Sequence, residues 1–111
     1  MKKLNLITIQ KIASLYEVIE KIHINNSRTV IVLNKKKVVG VISEGDIIKT
    51  LVHKGNLNIS AEKIMNKSFK FLKSNDLNQA KKIFKDTGIG LIPILDKNME
   101  IISYITILDI I

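Results

Sequence analysis

The chain has 111 residues, of which 46% are hydrophobic, so it is long enough for one compact domain with a buried core and too apolar to be disordered. It has no cysteine, which excludes disulfides, thiol nucleophiles and cysteine-bound metals and leaves His23 and His53 as the only soft metal ligands. The net charge of +8 raises nucleic-acid binding as an alternative function. Because Arg28 is the single arginine and aromatic residues are few, a solvated lysine-rich surface is the favoured interpretation.

No apolar run is long enough to cross a bilayer, and the N-terminus has no signal-peptide stretch. We therefore expect a soluble, cytoplasmic protein.

The first half predicts five elements. An apolar run at 6–9 indicates a strand. Ser14 is suited to cap a helix that runs to Ile22, because apolar residues then recur at i, i+3, i+4 and i+7. The runs 29–34 and 38–43 predict a hairpin that turns through Lys35, Lys36 and Lys37, which we interpret as a solvated tip. A second helix is predicted over 44–53, with Gly55 ending it.

The second half repeats this pattern about 62 residues later. A leading strand is predicted over 69–72, a helix over 76–84 with Asp76 as its cap, and strands over 91–96 and 101–106. Pro93 lacks a backbone donor, which favours the edge of a sheet over a central ladder position. Self-similarity at a fixed offset is the mark of a repeat architecture.

The periodicity also predicts which helix positions are buried. In the first helix of each half these positions are Leu15, Val18 and Ile22, and Leu77, Ala80 and Phe84. In the second helix of the first half, one face carries Ile47, Ile48, Leu51 and Val52.

These elements predict an α/β (α+β) fold made of two βαββα repeats related by a pseudo-twofold axis. We place the repeats at 1–60 and 61–111, and together they cover each other's apolar faces. The second copy reaches Ile111 before its last helix is complete. We therefore expect that the chain is an excised piece or that this helix continues into another domain.

The strongest local motif lies where each hairpin leads into the next helix. Ser43 precedes Asp46 by three residues, and Thr106 precedes Asp109 by the same spacing. A hydroxyl followed three residues later by a carboxylate is typical of a helix capping box. The same carboxylate, at the mouth of a cleft, can accept both hydroxyls of a ribose while the helix N-terminal amides meet sugar or phosphate oxygens.

The whole repeat, with Gly-x-x-Ser/Thr-x-x-Asp at its last strand-helix junction, resembles the cystathionine-β-synthase (CBS) domain family. That resemblance implies a tandem regulatory module, often called a Bateman module, that binds adenosine nucleotides such as AMP, ADP or ATP and catalyses nothing itself. It implies Ser43 with Asp46 as one ribose-contacting pair and Thr106 with Asp109 as the second. The second copy departs from the family pattern, since Ser103 replaces the usual glycine.

A narrower resemblance involves Gly45 to Ile47, Asn56 to Asn58 and Lys63 to Lys67. These strings are similar to the CBS pair that precedes sugar-nucleotide nucleotidyltransferases, which implies such an attached C-terminal domain. Arg28, just before a strand, is a candidate phosphate ligand because its guanidinium suits bidentate recognition, although a solvated surface arginine is the favoured interpretation.

Three functional classes remain open. The favoured one is a nucleotide-binding regulatory module that forms a homodimer and needs no cofactor or metal, because CBS-like modules commonly pair through apolar helix faces. An oligomerisation module with empty clefts, and a lysine-rich nucleic-acid-binding domain, are the alternatives. An enzyme is not expected, since we find no nucleophile-base pair, metal cluster or phosphate loop.

Overall fold

The computed structural model describes residues 3–53 and 55–110. The first repeat begins with a 3-10 turn at Leu4–Leu6, followed by strand β1 at Thr8–Gln10. Its remaining elements are helix α1 at Leu15–Asn25, strands β2 at Thr29–Asn34 and β3 at Lys37–Ser43, and helix α2 at Glu44–His53.

The predicted leading strand of this repeat starts later than expected. Ile7 N and Thr8 Oγ1 both donate to the carbonyl of Leu4, which closes a turn over residues that the sequence pattern assigned to the strand. β1 then pairs in parallel with β2, and β2 pairs with β3 in an antiparallel hairpin, so the strand order is β1-β2-β3.

Helix α1 begins as predicted. Ser14 is its N-cap, with the Ser14 hydroxyl accepting from Glu17 N and the Glu17 carboxylate accepting from Ser14 N. This reciprocal capping box satisfies two backbone donors that the helix itself leaves unpaired.

The second repeat has helix α4 at Leu77–Thr87, strands β4 at Leu91–Leu95 and β5 at Ile101–Thr106, and a 3-10 turn at Ile107–Asp109. Asp76 caps α4 as predicted, because its carboxylate accepts from Gln79 N. The 3-10 turn occupies the position of α2 in the first repeat.

The predicted strand at 69–72 is wrong: Leu72 makes a single parallel bridge to β4. Its amide donates to Pro93 O, and its carbonyl accepts from Leu95 N. The next bond of a parallel ladder would run from the nitrogen of residue 93 to Lys70, and proline has no hydrogen there. In the first repeat the corresponding residue is Ile31, whose amide donates to Ile7 O and extends the ladder.

Three apolar clusters form the core. Two lie inside the repeats: one includes Leu15, Val18 and Ile22 of α1, and the other includes Ala80 and Phe84 of α4. The burial predicted for these five residues is confirmed. The third cluster packs β2 and β3 against β4 and β5, between the repeats.

One residue that the periodicity predicts to be buried and three apolar residues of α2 are exposed. Leu77 has 42% of its surface exposed, because among the described residues nothing covers the outer side of α4 at its first turn. On α2, Ile47 is buried, but Ile48, Leu51 and Val52 are exposed. The apolar stripe on α2 is therefore wider than the surface that the first repeat covers.

The two repeats meet where their hairpins begin. Lys37 forms an antiparallel bridge with Glu100, and Val38 N donates to Met99 O. Lys37 and Glu100 occupy the same position in the two repeats, at an offset of 63 residues. A residue that pairs with its own equivalent lies beside a twofold axis, so this bridge fits the predicted pseudo-twofold relation.

The segment between the repeats contains a short helix, α3, at Ala61–Ile64. It lies against the first repeat: Ala61 is fully buried in that repeat's core cluster, and Met65 packs beside it.

Candidate functional site

Ser43 and Asp46 form a closed hydrogen-bonded unit at the end of β3. The Oδ2 atom of Asp46 accepts from Ser43 N at 2.9 Å and from Ser43 Oγ at 3.1 Å, while Asp46 N donates to Ser43 Oγ at 3.3 Å. Both side chains are half-buried. The predicted capping box is therefore present, and its bonds use one carboxylate oxygen.

Thr106 and Asp109 repeat this arrangement in the second repeat. The Oδ2 atom of Asp109 accepts from Thr106 N at 2.7 Å and from Thr106 Oγ1 at 3.2 Å. Here the residues sit on a 3-10 turn instead of a full helix, and Asp109 is exposed. Each predicted pair is thus brought together by its own strand-helix junction.

Arg28 lies next to the start of α2. Its carbonyl accepts from Glu44 N at 3.0 Å, and its guanidinium Nε is 4.0 Å from a carboxylate oxygen of Glu44. The Arg28 side chain is exposed and its backbone has a φ of 60°, which is uncommon for a residue other than glycine. In the second repeat Gly90 holds the equivalent position, and its carbonyl accepts from Ile107 N.

A cleft of about 610 Å³ lies on the outer side of β5. Asp109 lines one part of it. The remaining lining is mostly apolar and comes from the segment before α4, the start of α4, and strands β4 and β5. Those residues are Lys73, Ser74, Asn75, Leu77, Ile94, Ile102, Ser103, Tyr104 and Ile105. All of them belong to the second repeat. We call this cleft the second-repeat groove.

A smaller cleft of about 250 Å³ lies between the repeats. It is lined by residues of the first hairpin, including Lys35 and Lys36, and by Glu100 and Ile101 of the second repeat. None of the predicted site residues lines it.

The equivalent of the second-repeat groove in the first repeat is covered by the chain itself. Ala61 N donates to Ala13 O, and Glu62 N donates to Lys11 O. The Met65 side chain lies so close to Gly40 that a β-carbon there would be 2.7 Å from the Met65 Cγ and Sδ atoms. This surface is therefore covered in the first repeat and open in the second.

Two groups near the predicted residues were not found from sequence. Glu44 faces Arg28, and its position directly after Ser43 was the available signal. Lys73 lines the groove beside Asp109, and no pattern in the sequence distinguished it from the other surface lysines.

Within 3–53 and 55–110 there is no cluster of three or more His, Asp or Glu side chains that could bind a metal ion. In the same part of the chain no helix has the length and apolar character that a bilayer-spanning segment needs.

The family assignment follows from comparison with known sequences and structures. The model of the CBS domain matches residues 1–53 and again residues 61–111. The chain belongs to the CBS domain family. Its two matched segments are the two repeats described above, so the chain is a tandem CBS pair. Comparison with curated proteins gives no significant match.

Several solved structures share this fold. The chain superposes on a CBS domain protein, PAE2072 from Pyrobaculum aerophilum complexed with AMP, with a TM-score of 0.79 and 21% identity over 98% of this chain and 89% of that one. Protein MJ1225 from Methanocaldococcus jannaschii gives a TM-score of 0.86 and 26% identity over 94% of this chain and 42% of that one. The cytosolic domain of the Mg²⁺ channel MgtE in complex with ATP gives a TM-score of 0.75 and 16% identity over 94% of this chain and 43% of that one.

Proposed function

We propose that this CBS pair is a regulatory module that binds an adenosine nucleotide at its strand-helix junctions. The observation that carries the proposal is the repeated junction itself, in which a carboxylate is fixed by the hydroxyl residue three positions earlier, in a family whose members have been solved with AMP and ATP.

The geometry of Asp46 suits ribose recognition. Both bonds that its carboxylate accepts from Ser43 go to Oδ2, and no described residue donates to Oδ1. A fixed carboxylate with an oxygen left over accepts a sugar hydroxyl without first losing side-chain freedom. The capping role and the binding role are therefore compatible in one residue.

Arg28 supplies the charge that a phosphate needs in the first repeat. Its exposed guanidinium lies beside the same helix start as Asp46, and Glu44 is its carboxylate neighbour. An incoming phosphate exchanges one anion for another at this arginine. The second repeat has Gly90 in that position and offers no side chain there, so the first junction is proposed as the phosphate-binding one.

The finer expectations extend this proposal. The similarity of 45–47, 56–58 and 63–67 to the pair that precedes sugar-nucleotide nucleotidyltransferases supports such an attached enzyme, acting in the cytoplasm, as the regulated partner. The exposed Ile48, Leu51 and Val52 on α2 support association of two chains through this helix.

Calorimetry with AMP, ADP, ATP and the guanosine and cytidine counterparts tests the proposal. An adenosine nucleotide should bind, and Asp46→Asn should weaken its affinity by roughly ten- to a hundredfold, because a charged acceptor of the ribose hydroxyl is replaced by a neutral amide. Asp86→Asn, at an exposed position on α4, is the matched control and should leave affinity unchanged. Wild-type affinity in Asp46→Asn would contradict the assignment of this site.

A further inference from the structure

The second-repeat groove can be compared with the equivalent surface of the first repeat, which is covered by a segment of the chain itself. There the residues 59–65 run across the start of α1 and the end of the hairpin. The occupant buries Leu15 completely, whereas the equivalent Leu77 is 42% exposed. The difference in exposure therefore reports on what covers each surface.

Backbone hydrogen bonds fix the occupant in the first repeat. Leu15 N donates to Ile59 O at 2.8 Å, Ala61 N donates to Ala13 O at 2.7 Å, and Glu62 N donates to Lys11 O at 3.0 Å. Such bonds depend on the path of the backbone, so any segment that follows this path can make them.

Two of these backbone groups have equivalents in the second-repeat groove, namely Leu77 N and the carbonyl of Asn75. Among the described residues neither group makes a hydrogen bond. Ile102 is also 55% exposed beside them. The groove thus combines an apolar floor with one unused backbone acceptor and one unused backbone donor.

We propose that the second-repeat groove binds a polypeptide segment of the same type as Ala61–Met65. The segment carries a small residue that enters over the start of α4. One of its amides pairs with the carbonyl of Asn75, and one of its carbonyls accepts from Leu77 N. A peptide backbone supplies both a donor and an acceptor at this spacing, as it does in the first repeat.

One substitution between the repeats sets the size of the last residue of that segment. In the first repeat Met65 packs directly on Gly40, with its Cγ and Sδ atoms where a β-carbon would be. Ser103 stands in the equivalent place of the second repeat and has that β-carbon. A methionine there would be overpacked, so the segment that the groove accepts has a smaller residue at this position.

Peptides copied from the chain test this directly. A labelled peptide with the sequence of residues 57–67 is compared with the same peptide carrying Met65→Ala, by fluorescence anisotropy on the 111-residue protein. The alanine peptide should bind at least about fivefold more tightly, since methionine overpacks against the side chain at 103. In protein carrying Ser103→Gly this preference should disappear.

Two leucines of similar exposure provide the matched control. Leu77→Lys should weaken the alanine peptide by roughly tenfold, because apolar contact area in the groove is lost. Leu6→Lys, in the 3-10 turn of the first repeat at 41% exposure, should change the affinity less than about twofold, because its leucine lies outside the groove.

Several results would overturn the proposal. One is the absence of saturable binding by either peptide at millimolar concentration, and another is equal affinity of the two peptides. Displacement of a bound peptide by AMP would assign the groove to a nucleotide. A dimer that Leu77→Lys converts to a monomer would assign it to a second copy.

Loss of nucleotide binding with retained peptide binding would affect only the proposed nucleotide function.

Discussion

Gly40→Ala tests how tightly the segment between the repeats is packed on the first repeat. The added β-carbon would lie 2.7 Å from both Cγ and Sδ of Met65 and 2.9 Å from its Cβ. The Cγ and Sδ atoms can move by rotation about χ1, but the Cβ is fixed by the backbone. The whole segment must therefore shift, and we expect a loss of about 1–3 kcal/mol in the free energy of unfolding.

Urea denaturation of the wild type and the variant gives this value, provided that the m-value is unchanged. The double variant with Met65→Ala should recover part of the loss, because two of the three close atoms are removed. Recovery should be incomplete, since the Cβ contact remains. Such a cycle measures the coupling between positions 40 and 65.

Gly45→Ala is the control for a glycine substitution in the same repeat. A β-carbon at Gly45 meets Ser43 Oγ at 3.6 Å, an ordinary contact, and Gly45 lies in α2. Alanine should therefore stabilise the protein by up to about 1 kcal/mol through helix propensity. A Gly40→Ala protein as stable as the wild type would refute the packing of the segment at this site.

Three further predictions use the same comparison of equivalent positions and exposures. Leu15→Ala should lower the free energy of unfolding by about 2–5 kcal/mol, and Leu77→Ala by clearly less, because only Leu15 is fully buried. Urea denaturation of both variants measures the two losses, and losses of similar size would contradict this prediction. Asp76→Ala should cost about 1 kcal/mol through loss of the α4 cap, whereas an unchanged thermal midpoint would show that the cap contributes nothing. Val52 is 74% exposed on α2, and Val52→Lys should change the mass measured by light scattering from that of two chains to that of one. A wild-type mass of 12.5 kDa at all micromolar concentrations would contradict dimerisation.

Much of the fold follows from local patterns in the sequence. Helices α1 and α4 begin beside Ser14 and Asp76 because these side chains accept from amides three residues on, and that signal is local. The hairpins follow from β-branched runs separated by polar turns. The repeat is readable because both halves use the same order of elements at nearly constant spacing.

The wrong predictions concern contacts made between distant parts of the chain. The run 69–72 is apolar enough for a strand, but its ladder stops because Pro93 lies on the neighbouring strand. Leu77 has the spacing of a core residue, yet periodicity does not state whether a second layer covers it. The covering role of Ala61–Ile64 was not visible, because a four-residue helix has no period to detect.

For the candidate site, the sequence located both hydroxyl-carboxylate pairs, since spacing of three across a strand-helix junction defines the capping geometry. It did not locate Glu44 as the neighbour of Arg28, because that contact depends on the left-handed backbone at Arg28. That the two carboxylates also bind a ribose stays a prediction, because hydrogen bonds within the chain do not report on a ligand.

The most direct test of the nucleotide site is an amide chemical-shift titration of the labelled chain with AMP. We expect saturable shifts at Ser43, Asp46 and Ile47, with a smaller response at Thr106 and Asp109. The first set should be lost in Asp46→Asn while the protein remains folded. Shifts confined to the region of Leu77 and Ile102, or none at millimolar AMP, would contradict it.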